Sequence, residues 1–501
     1  MRKNGVLMHL SSLSGDTGIG TMGKEAYEFV DFLEKGGQSL WQLLPVVPTS
    51  YGDSPYSSYS TFAGNPYFID LDTLADEGYL KPEEYKNLNW GADPENVDYG
   101  LIYETRFPVL RKAAKRLLAD IPEDYAAFVE ENSDWLPDYA LFMALKDAND
   151  GKPWLQWPDQ IRNYSPETAA KLTQQYREDV DFYMVLQYLF FRQWNKLRQY
   201  ANDKGIEIIG DLPIYVALDS VDAWSHPELF QLDENRIPKD VAGCPPDGFS
   251  ADGQLWGNPL YDWDYHKKTG YKWWLRRIQY LTQLYNIVRI DHFRGFDSYY
   301  AIPYGATNAR IGEWRQGPGM DLFDLVRKQY PDARIIAEDL GFLTDSVRQL
   351  LKDTGYPGMK ILQFAFDSRD SSSNEYLPFN YPHHCIAYTG THDNQTVKGW
   401  FESAPEECVA FAKDYLRCKD DEDCVWDMML ELMASPAETT ILTAQDLLEL
   451  GDEARMNTPS TVGRNWQWRA KQGAFTEELA DRLNHYTALY GRSKREPEEE
   501  K

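Results

Sequence analysis

Three segments of the sequence end an apolar run with groups that could do chemistry. NIVRID (286–291) carries Arg289 and Asp291, ARIIAED (333–339) carries Glu338, and HCIAYTG (384–390) is followed by His392 and Asp393. Each has an ordinary explanation when taken alone. An arginine and an aspartate two apart on a strand can form a buried ion pair, and an acid after a strand can cap a helix. Strand side chains alternate, so Ile287, Arg289 and Asp291 share one face, the two charged groups about 6–7 Å apart, while Val288 and Ile290 share the other. In the same way Glu338 lies with Ile336, and Asp339 with Ala337. A buried pair has a weak stability motive, because desolvation consumes most of the Coulomb gain. Three strand ends that each deliver a carboxylate point instead to a carboxylate-based active site.

Glycosidic bond cleavage needs carboxylates and no metal or cofactor: one acts as nucleophile and one, protonated, as proton donor. In a retaining enzyme the two lie roughly 5–5.5 Å apart. A neighbouring arginine favours the ionised form, which suits Asp291 beside Arg289 as nucleophile. Glu338, flanked in sequence by Ile336 and Ala337, suits the acid. Asp393 is then left to grip the hydroxyls of a distorted sugar. The eight histidines offer no HxH or HExxH spacing, and the adjacent His383 and His384 would point to opposite faces of a strand, so no metal centre is expected.

Such residues need a frame. Apolar runs at 5–10, 39–45, 206–212, 286–291, 333–339, 359–366, 384–390 and 439–447 read as eight strands separated by helical patterns. Between the first two, Ala26, Phe29, Val30 and Leu33 fall on one helical face and Gly36 and Gly37 end the helix. Eight strands alternating with helices predict an α/β fold, a (β/α)8 TIM barrel, rather than an open doubly wound sheet. No GxGxxG follows the first strand, and GDTGIG (15–20) lacks the Lys-Ser/Thr of a phosphate loop. Two connections are too long for loops. Residues 46–205 read as an inserted, largely helical subdomain, and 213–285, rich in Pro, Gly, Asp and Trp, as a second insertion of substrate-binding loops. Both leave the carboxyl ends of strands, where barrels build their sites. The whole of 1–501 is then a single catalytic barrel, with a solvated tail, SKREPEEEK.

Composition narrows the ligand. With 51 basic and 79 acidic residues the formal charge is −28, which disfavours nucleic acid and anionic membrane surfaces as partners. Sixteen Trp and 33 Tyr, beyond filling a core, supply flat faces for a neutral ligand such as a sugar. The five cysteines form no CxxC pair, and no signal-peptide or membrane-length apolar run occurs, so a cytoplasmic location with reduced thiols is expected.

RIDHFRG, IIAEDLG and THDN resemble the active-site segments of 4-α-glucanotransferases (amylomaltases, disproportionating enzymes), glycoside hydrolase family 77 of the α-amylase clan. DSPYSSYSTFAGNPYFIDL, IIGDLPIYVALDSVDAW, PPDGFSADGQLWGNP and GRNWQWR extend the resemblance from about residue 8 to 469. It implies a (β/α)8 barrel without a separate carboxyl-terminal β-domain and cofactor-free transfer of α-1,4-glucan segments between maltooligosaccharides, starch or glycogen. It further implies Asp291 as nucleophile, Glu338 as acid/base and Asp393 as transition-state stabiliser, with Arg289 and His392 as active-site partners. Tyr56, Asp211, Trp256 and Asn465 match substrate-contacting positions. The alternatives are an α-1,4-glucan hydrolase of the same clan, which delivers water instead of a sugar, and a non-catalytic glucan-binding barrel.

Overall fold

The computed structural model describes all residues except 1, 51, 247–250, 342, 368–373, 419–423 and 494–501. Part of the PPDGFS motif and nearly all of the tail therefore lie outside the described residues. Twelve strands occur among the described residues: β1 (Lys3–Leu7), β2 (Leu40–Gln42), β3 (Glu207–Leu212), β4 (Asp240–Cys244), β5 (Gln254–Pro259), β6 (Ile287–Ile290), β7 (Ser298–Pro303), β8 (Glu313–Gln316), β9 (Ile335–Ala337), β10 (Gly358–Ile361), β11 (Cys385–Tyr388) and β12 (Thr439–Thr443).

Eight of them form a parallel sheet in the order β10-β11-β12-β1-β2-β3-β6-β9. Each of the eight apolar runs contributes one strand, although the strands are shorter than the runs. The run 359–366 turns into a short helix at Leu362–Phe366, and 439–447 into one at Ala444–Leu447. Apolarity continues past the ladder because these turns are buried too. The sheet curls until its edges meet. Between β9 and β10 the Ala337 N–H donates to Pro357 O at 3.0 Å, and the Met359 N–H to Asp339 Oδ1 at 2.6 Å. A side chain thus does part of the work of a backbone ladder at the last seam. Inside, Tyr388 Oη donates to Gln42 Oε1 at 2.9 Å although their strands are three apart, so the contact crosses the lumen.

Helices cover the outside. The helix Lys24–Lys35 buries Ala26, Phe29, Val30 and Leu33 and stops at Gly36, with Gly37 at φ +70°. Gly210 lets β3 lie beneath the Tyr285 ring, since a Cβ there would sit 2.1 Å from it. Within 46–205, long helices dominate: Tyr99–Ala119, Leu136–Ala148 and Arg177–Asp203. Their core is continuous with that of the barrel through Phe62, Trp135, Phe191 and Tyr280.

The region after β3 holds more than loops. β4 and β5 join β7 and β8, which follow β6, in an antiparallel sheet ordered β5-β4-β7-β8. Two hairpins, β4-β5 and β7-β8, come from opposite sides of β6 in sequence, and the β4–β7 pairing that joins them is too distant to leave a local period.

Candidate active site

Register sets the cluster. On neighbouring strands Asp211 of β3 lies opposite Arg289 of β6, and Arg289 opposite Ile336 of β9. The ladder runs past the strand ends: Asp291 N–H donates to Leu212 O (2.9 Å) and Glu338 N–H to Ile290 O (3.0 Å). Asp291 and Glu338 are therefore delivered by backbone bonds to the same rim. Arg289, 4% exposed, gives one nitrogen to both Asp211 oxygens (2.8 and 2.7 Å) and another to Asp291 Oδ1 (3.1 Å). Tyr56 Oη adds a bond to Asp211 Oδ2 at 2.7 Å.

Glu338 takes a backbone donor on each oxygen, His292 N–H at 2.7 Å and Leu340 N–H at 2.8 Å. The first exists because His292 adopts a left-handed conformation, φ +51°, and turns its amide back onto the carboxylate. Asp393, on the loop after β11, accepts from Asn457 Nδ2 at 2.6 Å and lies 3.4 Å from His392 Nε2. Arg455 holds the Asp393 carbonyl at 2.7 Å.

An aromatic wall borders the carboxylates. Tyr56 stacks on His392 (5.0 Å, 14°), and Trp466 packs against both at 5.8 Å. On β5, the partly exposed Trp256 meets His292 edge to face at 4.8 Å. Burial depresses both imidazoles, His292 to about 3, and so keeps them neutral near pH 7.

Burial is also the largest influence on the two central carboxyls. It pushes Asp291 well above the usual range; Arg289 opposes, while Asp211, Glu338 and Asp393 add to the rise. Glu338 is raised by burial against the pull of Arg289 and its two N–H donors. Sequence reasoning has Arg289 holding Asp291 ionised. The guanidinium does pull that way, but its charge is divided with Asp211, so it does not outweigh desolvation. Two coupled carboxyls in one low-dielectric site lose the first proton and retain the second. That is the state a nucleophile and acid pair requires.

The sequence profile of glycoside hydrolase family 77, 4-alpha-glucanotransferase, matches residues 8–475. The chain belongs to this family. A 4-alpha-glucanotransferase of Clostridium butyricum is 50% identical over 487 residues, covering 97% of this chain and 100% of that protein. One of Streptococcus pneumoniae is 47% identical over 495 residues, with 98% and 97% covered. Among solved structures, the amylomaltase from Streptococcus agalactiae in complex with acarbose is similar at a TM-score of 0.96 and 45% identity, covering 99% of this chain and 100% of that one. The enzyme is a 4-alpha-glucanotransferase acting on α-1,4-glucans. Among the described residues no helix is long and apolar enough to cross a membrane.

Eight of the nine anticipated residues gather at this rim: Asp291, Glu338, Asp393, Arg289, His392, Tyr56, Asp211 and Trp256. Asn465 differs. Its amide is engaged within its own loop, accepting from Thr458 N–H at 3.1 Å and donating to Thr461 O at 2.9 Å. That bracing shapes the loop between Asn457 and Trp466, both of which do touch the cluster. Sequence reasoning passed over Asn457, Arg455, Trp466 and the amide of His292. The first three sit on irregular chain with no period to mark them, and a backbone N–H leaves no compositional trace.

Proposed function

We propose that Asp291 is the nucleophile, Glu338 the acid/base and Asp393 the transition-state stabiliser of a retaining double displacement. The observation that carries the reading is the convergence of Arg289, Asp291 and Glu338 through one continuous ladder. Arg289 donates directly to Asp291, whereas the groups that donate directly to Glu338 are the neutral His292 and Leu340 amides, and this contrast supports Asp291 as the ionised carboxylate and Glu338 as the one that keeps the proton. Glu338 protonates the glycosidic oxygen while Asp291 attacks the anomeric carbon, and the reducing-end sugar leaves. Glu338 then removes the proton from the 4-hydroxyl of an incoming glucan, which displaces Asp291 and restores the α-1,4 linkage. Asp393, fixed by Asn457 and Arg455, grips hydroxyls of the distorted ring between the two steps.

The substrates are α-1,4-glucan donors and acceptors: maltooligosaccharides, starch or glycogen. That the similar S. agalactiae amylomaltase was solved in complex with acarbose supports an α-glucan as the ligand of this chain. Tyr56, beside His392, and Trp256, beside His292, offer faces to sugar rings, and Asp211 and His392 hold Tyr56 in position. Residues 46–205 are an inserted helical subdomain and 213–285 a second insertion shaping the cleft, both within one catalytic barrel. That the five cysteines are thiols and not disulfides supports a cytoplasmic location.

Maltotriose tests the reading. The expected products are glucose and a ladder of longer oligomers with no net gain of reducing ends; a steady gain would mean hydrolysis. Asp291→Asn is expected to cut turnover at least about 10³-fold while glucan binding persists. Unchanged turnover would remove Asp291 from the nucleophile's role.

A further inference from the structure

We propose that Cys418, Cys424 and Asp427 form a binding site for a zinc-class divalent cation, which staples together the helices Glu406–Leu416 and Cys424–Ala434 between β11 and β12. The cysteines lie six apart in sequence, a spacing outside the CxxC pattern, and the fold brings them together. One ligand atom from each of the three residues lies within 4.8 Å of the other two. In a four-coordinate zinc site with Zn–S about 2.3 Å and Zn–O about 2.0–2.2 Å, neighbouring ligand atoms are about 3.5–3.8 Å apart. Closure on the cation therefore needs movements of about 1 Å or less, within the reach of side-chain torsions.

Two independent backbone features hold the ligands ready. The helix Glu406–Leu416 ends with Arg417 in the left-handed conformation, φ +60°. Arg417 N–H donates to Asp414 O at 3.3 Å and Cys418 N–H to Lys413 O at 3.0 Å. This paired closure fixes where Cys418 starts. Cys424 is fully buried and opens the helix Cys424–Ala434, and Asp427, three residues on, lies on the same face. That second helix packs on the first and on β12.

The chemistry of the trio selects the cation. Cys418 already hydrogen-bonds to Cys424 and Asp427, so the three ligand groups face one another before any cation enters. On binding, both S–H protons pass to solvent, two metal–sulfur bonds form, the Asp427 carboxylate supplies the third ligand and water the fourth. Two sulfurs and one oxygen suit zinc or cobalt(II), whereas magnesium and calcium take oxygen alone.

The test uses the full chain, reduced, treated with a chelator and kept anaerobic. Titration with cobalt(II) is expected to give thiolate-to-metal charge-transfer absorption saturating at one equivalent, reversed by zinc, and zinc is expected to raise Tm. Cys418→Ser and Cys424→Ser should lose the absorption and the zinc effect while retaining transfer on maltotriose, which reports that they fold. Three results would overturn the site: no charge-transfer band in the wild-type chain, a band that survives both variants, or a Cys418–Cys424 disulfide in protein purified anaerobically.

Discussion

At the scale of single residues, the site is a contest between desolvation and a few placed charges. Glu338→Gln separates two roles of one carboxyl. Loss of the proton donor should lower transfer from maltotriose by about 10³-fold. An α-maltosyl fluoride donor, whose leaving group needs no protonation, should recover most of the first chemical step; no recovery would mean that Glu338 serves binding or folding instead. The same variant makes a pH prediction. Burial raises Glu338 above its usual value, so the fold prefers the protonated form, and its stabilising contribution is present at low pH and lost as pH rises through the raised value. Glutamine carries no charge to desolvate. Glu338→Gln should therefore show a higher Tm than wild type at pH 7–8, with the difference vanishing towards pH 4, followed by calorimetry. Tyr56→Phe removes one of the bonds that hold Asp211 and keeps the ring stacked on His392. An effect of about 10-fold on kcat/KM is expected, with little change in Tm.

At the scale of elements, the barrel's weakest join is β9 to β10, where a side chain stands in for a ladder. Asp339→Ala would leave the buried Met359 N–H without its acceptor, costing about 2 kcal/mol of stability by denaturant unfolding. Asp339→Asn keeps an oxygen in place and should recover most of it; equal loss in both variants would place the effect elsewhere. Because Glu338 is the preceding residue, activity should fall together with stability in the alanine variant. All eight barrel strands were legible as apolar runs, since strands packed on both faces leave few polar interruptions. Their ends were not, because the turns at Leu362–Phe366 and Ala444–Leu447 are buried as deeply as the strands they follow. The β5-β4-β7-β8 sheet escaped notice for a different reason. Its two hairpins, β4-β5 and β7-β8, are joined by the β4–β7 pairing across β6, and a contact that spans such a separation produces no pattern inside any one window.

At the scale of the whole molecule, the continuous core joins barrel and helical insertion while the surface carries a formal charge of −28. Self-repulsion of that charge opposes the compact state, and salt screens it with a Debye length of about 10 Å at 0.1 M. Tm should therefore rise by a few degrees between about 0.01 and 0.3 M sodium chloride, measured at fixed pH. A flat or falling curve would mean that surface ion pairs such as Lys204 with Asp31 and Glu34 outweigh the net repulsion.

The strand count, the frame and the three carboxylates could be read from the chain alone, because period-2 alternation and apolar runs are local consequences of what each segment buries. The family motifs extended that reading to Tyr56, Asp211, Trp256 and His392. Only the folded chain could decide the rest. Arg289 divides its charge between Asp211 and Asp291 because adjacent strands share a register. Glu338 is gripped by the His292 amide because one residue turns left-handed. Asn457 reaches Asp393, and Cys418 meets Cys424, across chain that has no period. Each of these depends on where the chain comes to rest, for most of them on segments far apart in sequence, and sequence separation by itself carries no signal of closeness in space.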